Sequence, residues 1–117
     1  MPIQTKRVYD LPEPADGVRL LTMRRWPRGI AKHKVSTWDK RLAPSTELLA
    51  DIRTGVIPWE EYVNRYRWEM SNRPDAIEGV VELRKRVSDE TITVMCGCED
   101  ETRCHRTLLR ELIEVDA

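Results

Sequence analysis

The run Thr91-Ile92-Thr93-Val94-Met95-Cys96 constrains this chain more than any other segment. It carries no charge, and a short continuous apolar run of this kind reads as a buried strand. Ser88-Asp89-Glu90 breaks the pattern before it, and the segment Gly97-Cys98-Glu99-Asp100 breaks it after. Beyond the turn, Leu108, Leu109, Leu112 and Ile113 form the apolar face of a final helix, with Asp100 suited to cap its N-terminus.

Two more strands are expected earlier, over Ile3 to Tyr9 and Val18 to Met23, separated by the turn-rich run Asp10 to Gly17. The segment from Arg24 to Lys34 contains Pro and Gly without any period and reads as a basic loop. Ser45 is an N-cap candidate for a short helix carrying Leu48, Leu49 and Ile52 and ending near Gly55. Pro58 suits the first turn of the clearest helix, in which Trp59, Tyr62, Val63, Tyr66 and Met70 recur at spacings of three and four. A third helix is expected after Asp75, running to about Val87, with apolar contacts from Ala76, Ile77, Val80, Val81 and Leu83 and a weak point of up to ~1 kcal/mol at Gly79.

The order strand, strand, helices, strand, helix predicts an α/β fold: a small sheet with at least partly parallel strands covered by helices, in one layered sandwich domain over residues 1–117. If Val18–Met23 and Thr91–Cys96 are parallel neighbours, both end at one sheet edge. The basic loop beginning at Arg24 then lies beside the cysteine turn beginning at Gly97, where ligands of open α/β sheets bind.

Composition limits the function classes. The 20 basic residues are balanced by 20 acidic ones, so no global charge drives the chain onto nucleic acid. No stretch approaches the ~20 apolar residues of a membrane span, and the N-terminus lacks a secretory core, so a cytoplasmic protein with no membrane partner is expected. The three cysteines, Cys96, Cys98 and Cys104, are too close together to staple distant segments and read as thiols or ligands.

Four motifs occur in order: Trp26-Pro27-Arg28-Gly29; Leu42-Ala43-Pro44-Ser45; Trp59-Glu60-Glu61-Tyr62 with Arg65-Tyr66; and Cys96-Gly97-Cys98 with Arg103-Cys104-His105-Arg106. Together they resemble the domain of unknown function 488 (DUF488) family, of the YeaO-like kind, over nearly the whole chain. The resemblance implies a compact α/β fold and no established activity.

The segment from Cys96 to Arg106 is the first candidate site. A turn entering a helix offers unpaired amides and a positive dipole end to an anion, and Arg103 and Arg106 add to that field. Cys104, in the first helical turn, is the best nucleophile candidate, with His105 as proton carrier. The plainer reading packs Cys104 with Leu108 and Leu112 as one buried stripe, while acidic Glu99, Asp100 and Glu101 raise a neighbouring thiol's pKa and repel anions. The spacing Cys98-x4-Arg103 misses the five-residue gap of the tyrosine-phosphatase signature, so that assignment is rejected. No cofactor is expected, but Cys96, Cys98, Cys104 and His105 are an alternative zinc set. Against full use of that set, adjacent Cys104 and His105 on a helix point about 100° apart.

The basic loop is the second candidate, with Arg24, Arg25, Arg28, Lys32 and Lys34 as donors to phosphate, Arg24 and Arg28 foremost, and Trp26 as a stacking ring. Its plainer reading is a solvated loop anchored by Trp26-Pro27. Two function classes follow: an enzyme acting on an anionic small molecule through Cys104 and His105, or a module binding a nucleotide, nucleic acid or protein without chemistry. The oligomeric state is not legible.

Overall fold

The computed structural model describes residues 3–98 and 101–115; the proposed cap Asp100 lies outside them, as does Glu99. Four strands, β1 (Ile3–Arg7), β2 (Val18–Leu21), β3 (Thr37–Trp38) and β4 (Ile92–Cys96), form one sheet in the order β1-β4-β2-β3. Every pairing is parallel. Four helices follow the chain: α1 (Thr46–Arg53), α2 (Trp59–Asn72), α3 (Pro74–Val87) and α4 (His105–Val115). No helix among the described residues is long and apolar enough to cross a membrane.

The expected buried strand is the centre of this sheet. β4 lies between β1 and β2, with Ile3 opposite Ile92 on one side and Leu21 opposite Met95 on the other. All five of its residues are buried because both faces are covered. Ile92 and Val94 join Leu20, Tyr66, Leu83 and Leu109 under the helices. Met95 packs on the opposite face with Val8, Leu21 and Ile30, against which Trp26 and Trp38 lean. The second layer there is the basic loop itself, and this is why β4 has no alternation of apolar and polar residues.

Several boundaries differ from expectation. β3 is only two residues long, too short to give a periodic signal. Pro58 caps α2 instead of entering it, while Pro74 starts α3 one residue before Asp75. Ile77 and Val81 are 40% and 43% exposed; the apolar contacts of α3 come from Ala76, Val80 and Leu83. Gly79 is a contact point as well, since a Cβ there would meet the buried Leu42 Cδ2 at 3.1 Å. Ser45 caps α1 as expected, its side chain accepting from the Leu48 amide.

Gly17 fixes where β2 starts. Its φ of 63° lies in the region open to glycine, and a Cβ would overlap the Thr91 carbonyl. That same carbonyl accepts the Val18 N–H at 2.9 Å, which brings β2 into register with β4. Replacing Gly17 with Ala should cost at least about 2 kcal/mol in urea denaturation, from backbone strain and overlap together. A loss below about 0.5 kcal/mol would contradict this account of the register.

Candidate functional site

Because β2 and β4 are parallel neighbours, Thr22, Met23 and Arg24 leave the sheet at the same edge as Cys96, Gly97 and Cys98. A cavity of about 870 Å³ opens there, its far wall formed by α1 and the start of α2. Arg24 and Arg25 from the basic loop, Arg53 from the end of α1 and Arg103 from the cysteine turn all line it. Tyr9, Trp59 and Tyr62 supply aromatic surface, and no carboxylate belongs to the described lining. None of the ion pairs between described residues uses these four arginines, whereas Arg19, Arg41, Arg65 and Arg73 are paired with Asp16, Asp39, Asp51 and Glu69.

The pocket wall is held by a knot of polar contacts at Leu42-Ala43-Pro44-Ser45. Glu69 is buried and accepts from the Ser45 amide at 2.8 Å and the Ser45 hydroxyl at 2.5 Å. Tyr66 donates its hydroxyl to the Leu42 carbonyl, and Arg73 donates to the carbonyls of Arg41 and Ala43. Arg24 donates to the carbonyls of Ala43 and Pro44, so the same side chain closes the knot and brings charge to the cavity. Glu69 and Arg73 lie outside the sequence reading, although Tyr66, Glu69 and Arg73 follow one another at steps of three and four.

The cysteine turn occupies the sheet side of the cavity. α4 begins at His105, so Cys104 precedes the helix instead of sitting in its first turn. Cys96 and Cys104 are 1% exposed and their sulfurs meet as a disulfide pair, with Cα atoms 7.9 Å apart. Cys98 is the free thiol, exposed at the cavity mouth. Desolvation against the wall raises its pKa, while Arg106 and Arg53 pull the other way. Arg106, itself buried, donates to the Cys98 carbonyl at 2.8 Å and to Cys96 Sγ at 3.2 Å.

His105 is a buried, oriented histidine. Its Nε2 lies 2.7 Å from the Thr22 carbonyl and 3.1 Å from Thr22 Oγ1, while Nδ1 lies 3.9 Å from Cys104 Sγ. A carbonyl only accepts, so the ring proton sits on Nε2 and Nδ1 is bare. Burial lowers its pKa to about 4, the Thr22 hydrogen bond opposing and the Arg106 charge assisting.

The predicted site residues thus divide. Arg24, Arg103, Cys96, Cys98, Cys104 and His105 converge on one cavity. Arg106 stands behind the sulfurs. Arg28 is exposed and absent from the lining, although its carbonyl accepts from Tyr9, which does line it. Trp26 anchors the loop: its Nε1 donates to the Ile30 carbonyl at 2.8 Å and its ring packs edge-on to Trp38. Arg25 of the basic loop lines the cavity too, and Arg53 joins the set from the structure alone.

A parallel sheet with its cavity at the carboxyl edge of β2 and β4, lined by residues of three of the four motifs, defines a small α/β protein. The chain belongs to the DUF488 family, matching the group described as "Active DUF488-N3 subclade" over residues 3–117. It is 32% identical over 113 residues to "Uncharacterized protein YeaO" of Escherichia coli (strain K12), covering 95% of this chain and 96% of that one. It is 31% identical over 113 residues to "Uncharacterized protein Rv3073c" of Mycobacterium tuberculosis (strain ATCC 25618 / H37Rv), covering 95% and 92%. No solved structure matches the chain.

Two expected outcomes follow from the geometry. In folded, unreduced protein, alkylation read by peptide mass spectrometry should label Cys98 alone; labelling of Cys104 without reductant would contradict the pairing. His105 has a folded pKa of about 4, below the ordinary value of about 6.5, so the unfolded chain binds more protons between those limits. Its contribution to stability is complete above about pH 6.5 and is lost as pH falls toward 4. A melting series across that window should therefore fall less steeply in His105→Gln; parallel curves would contradict a buried neutral ring.

Proposed function

We propose that this protein binds a small phosphate-bearing molecule with a flat, partly apolar body, a nucleotide being the simplest that fits. The carrying observation is the charge of the cavity: four arginines without carboxylate partners among the described residues, in a chain whose formal net charge is zero. Such a concentration gives the cavity a positive field, and guanidinium groups offer paired donors matched to phosphate oxygens. Tyr9, Trp59 and Tyr62 give the rest of the ligand a surface to lie on, and about 870 Å³ is the size of a small-ligand pocket. Binding is favoured over a catalytic thiol because Cys104 is buried and its sulfur is engaged with Cys96. Reduction would restore a nucleophile with His105 Nδ1 beside it.

The test is calorimetric titration with inorganic phosphate, a nucleoside and its monophosphate. The monophosphate should bind, the nucleoside should bind more weakly, and Arg53→Ala and Arg103→Ala should each weaken the monophosphate. A charge-assisted hydrogen bond of about 1.5–3 kcal/mol sets the expected loss at roughly 10–150-fold. Both residues are exposed, so melting temperatures should stay near the wild type. Equal affinity for nucleoside and monophosphate, or arginine variants that bind as wild type does, would overturn the reading. Binding only to a single-stranded oligonucleotide, lost in Arg28→Ala and Lys32→Ala, would replace it with nucleic-acid recognition by the loop.

A further inference from the structure

Cys96, Cys104 and His105 are all buried, and each offers one ligand atom within 4.8 Å of the others. Adjacent residues within a helix point apart, but Cys104 lies just outside α4, which frees its side chain to turn toward that of His105. We propose that the reduced chain holds one zinc ion at Cys96 Sγ, Cys104 Sγ and His105 Nδ1, with its remaining coordination position turned to the cavity.

Three features support a metal at this point. The first is backbone spacing. The Cα atoms of Cys96 and Cys104 are 7.9 Å apart, wider than the usual 4.4–6.8 Å of cystines. Two thiolates on a tetrahedral zinc stand about 3.8 Å from each other, given Zn–S bonds of about 2.3 Å, and so suit a wider frame. The second is the orientation of the imidazole. Nε2–H is tied to the Thr22 carbonyl at 2.7 Å, which leaves Nδ1 as the lone-pair nitrogen, 3.9 Å from Cys104 Sγ. A ring nitrogen anchored on a carbonyl with the other free for metal is the usual support of a histidine ligand. The third is Arg106, whose guanidinium donates to Cys96 Sγ at 3.2 Å and favours the thiolate that a metal requires.

The ligand set also selects the ion. Two sulfurs and an imidazole suit a soft or borderline cation such as zinc and offer nothing to magnesium or calcium, which take oxygen. Cys98 is excluded, being exposed at the cavity mouth and outside the cluster. All three ligands line the cavity, so water or a ligand oxygen has access to the fourth position.

Loading starts from the dithiol. A trialkylphosphine attacks one sulfur of the Cys96–Cys104 bond, and with one water it becomes the phosphine oxide while both sulfurs become thiols. Zinc then forms two metal–sulfur bonds, and the two thiol protons go to solvent.

The experiment uses the full chain, reduced with phosphine, freed of reductant under argon and equilibrated with zinc, magnesium or cobalt. Elemental mass spectrometry should find one zinc per chain and no retained magnesium. Cobalt should give the intense visible bands of a tetrahedral ion together with sulfur-to-cobalt charge transfer, a readout on wild-type protein that needs no variant to fold. His105→Ala and Cys104→Ser should weaken zinc by more than the roughly 10–100-fold that loss of an outer-shell partner costs. Cys98→Ser should bind zinc as wild type does. No retained zinc, a cobalt spectrum without sulfur ligation, or loss of the site in Cys98→Ser would each overturn the assignment. Zinc alone is the probe, so the result is independent of whether phosphate binds.

Discussion

The insertion of β4 between β1 and β2 is the constraint on which the rest of the structure depends. β1 and β2 are successive in sequence yet never touch as partners; each reaches the other only through β4. A strand in that position is buried on both faces, its one polar side chain, Thr93, donating to the Asp16 carbonyl, and the sheet remains incomplete until the last third of the chain arrives. The parallel pairing then sends Thr22 to Arg24 and Cys96 to Cys98 out at one edge. Thr22 illustrates the coupling: its amide and hydroxyl both donate to the Met95 carbonyl, while its own carbonyl accepts from His105. One residue thus ties the end of β2 to the end of β4 and to the first residue of α4.

Around that edge, charge is distributed in two ways. At Leu42-Ala43-Pro44-Ser45, carbonyls and a buried glutamate absorb the donors of Arg24 and Arg73, and the arginines act as struts. In the cavity, Arg25, Arg53 and Arg103 stand without such partners among the described residues. The arginines that brace the fold are therefore mostly distinct from those that line the cavity, with Arg24 common to both. The sulfur pair and His105 line the sheet side of the same cavity, on residues distinct from the arginines.

The sequence made the central elements readable because their signals are local. The β4 run, the spacing of Tyr62, Tyr66 and Met70, and the Ser45 cap each depend on neighbouring residues alone. The parallel pairing was conditional, resting on element order, and the structure bears it out. What was not legible depends on contacts distant in sequence. Arg53 meets the cavity only because α1 ends there, Glu69 reaches Ser45 across 24 positions, and Trp26 serves the core because the loop covers the second face of the sheet. The helical angle between Cys104 and His105 applies only inside a helix, and α4 starts at His105, a boundary that the local pattern does not mark.

On the proposed reading, this chain meets its ligand at the carboxyl edge of β2 and β4. Amide chemical-shift mapping during titration with a nucleoside monophosphate tests it most directly, because it reads the location without any substitution. The largest shifts should fall together on Arg24, Arg25, Arg53, Gly97, Cys98 and Arg103, with α3 and the exposed face of α2 unmoved. Shifts centred on Trp68, Ile77 and Val81, or confined to the loop around Arg28 and Lys32, would contradict it.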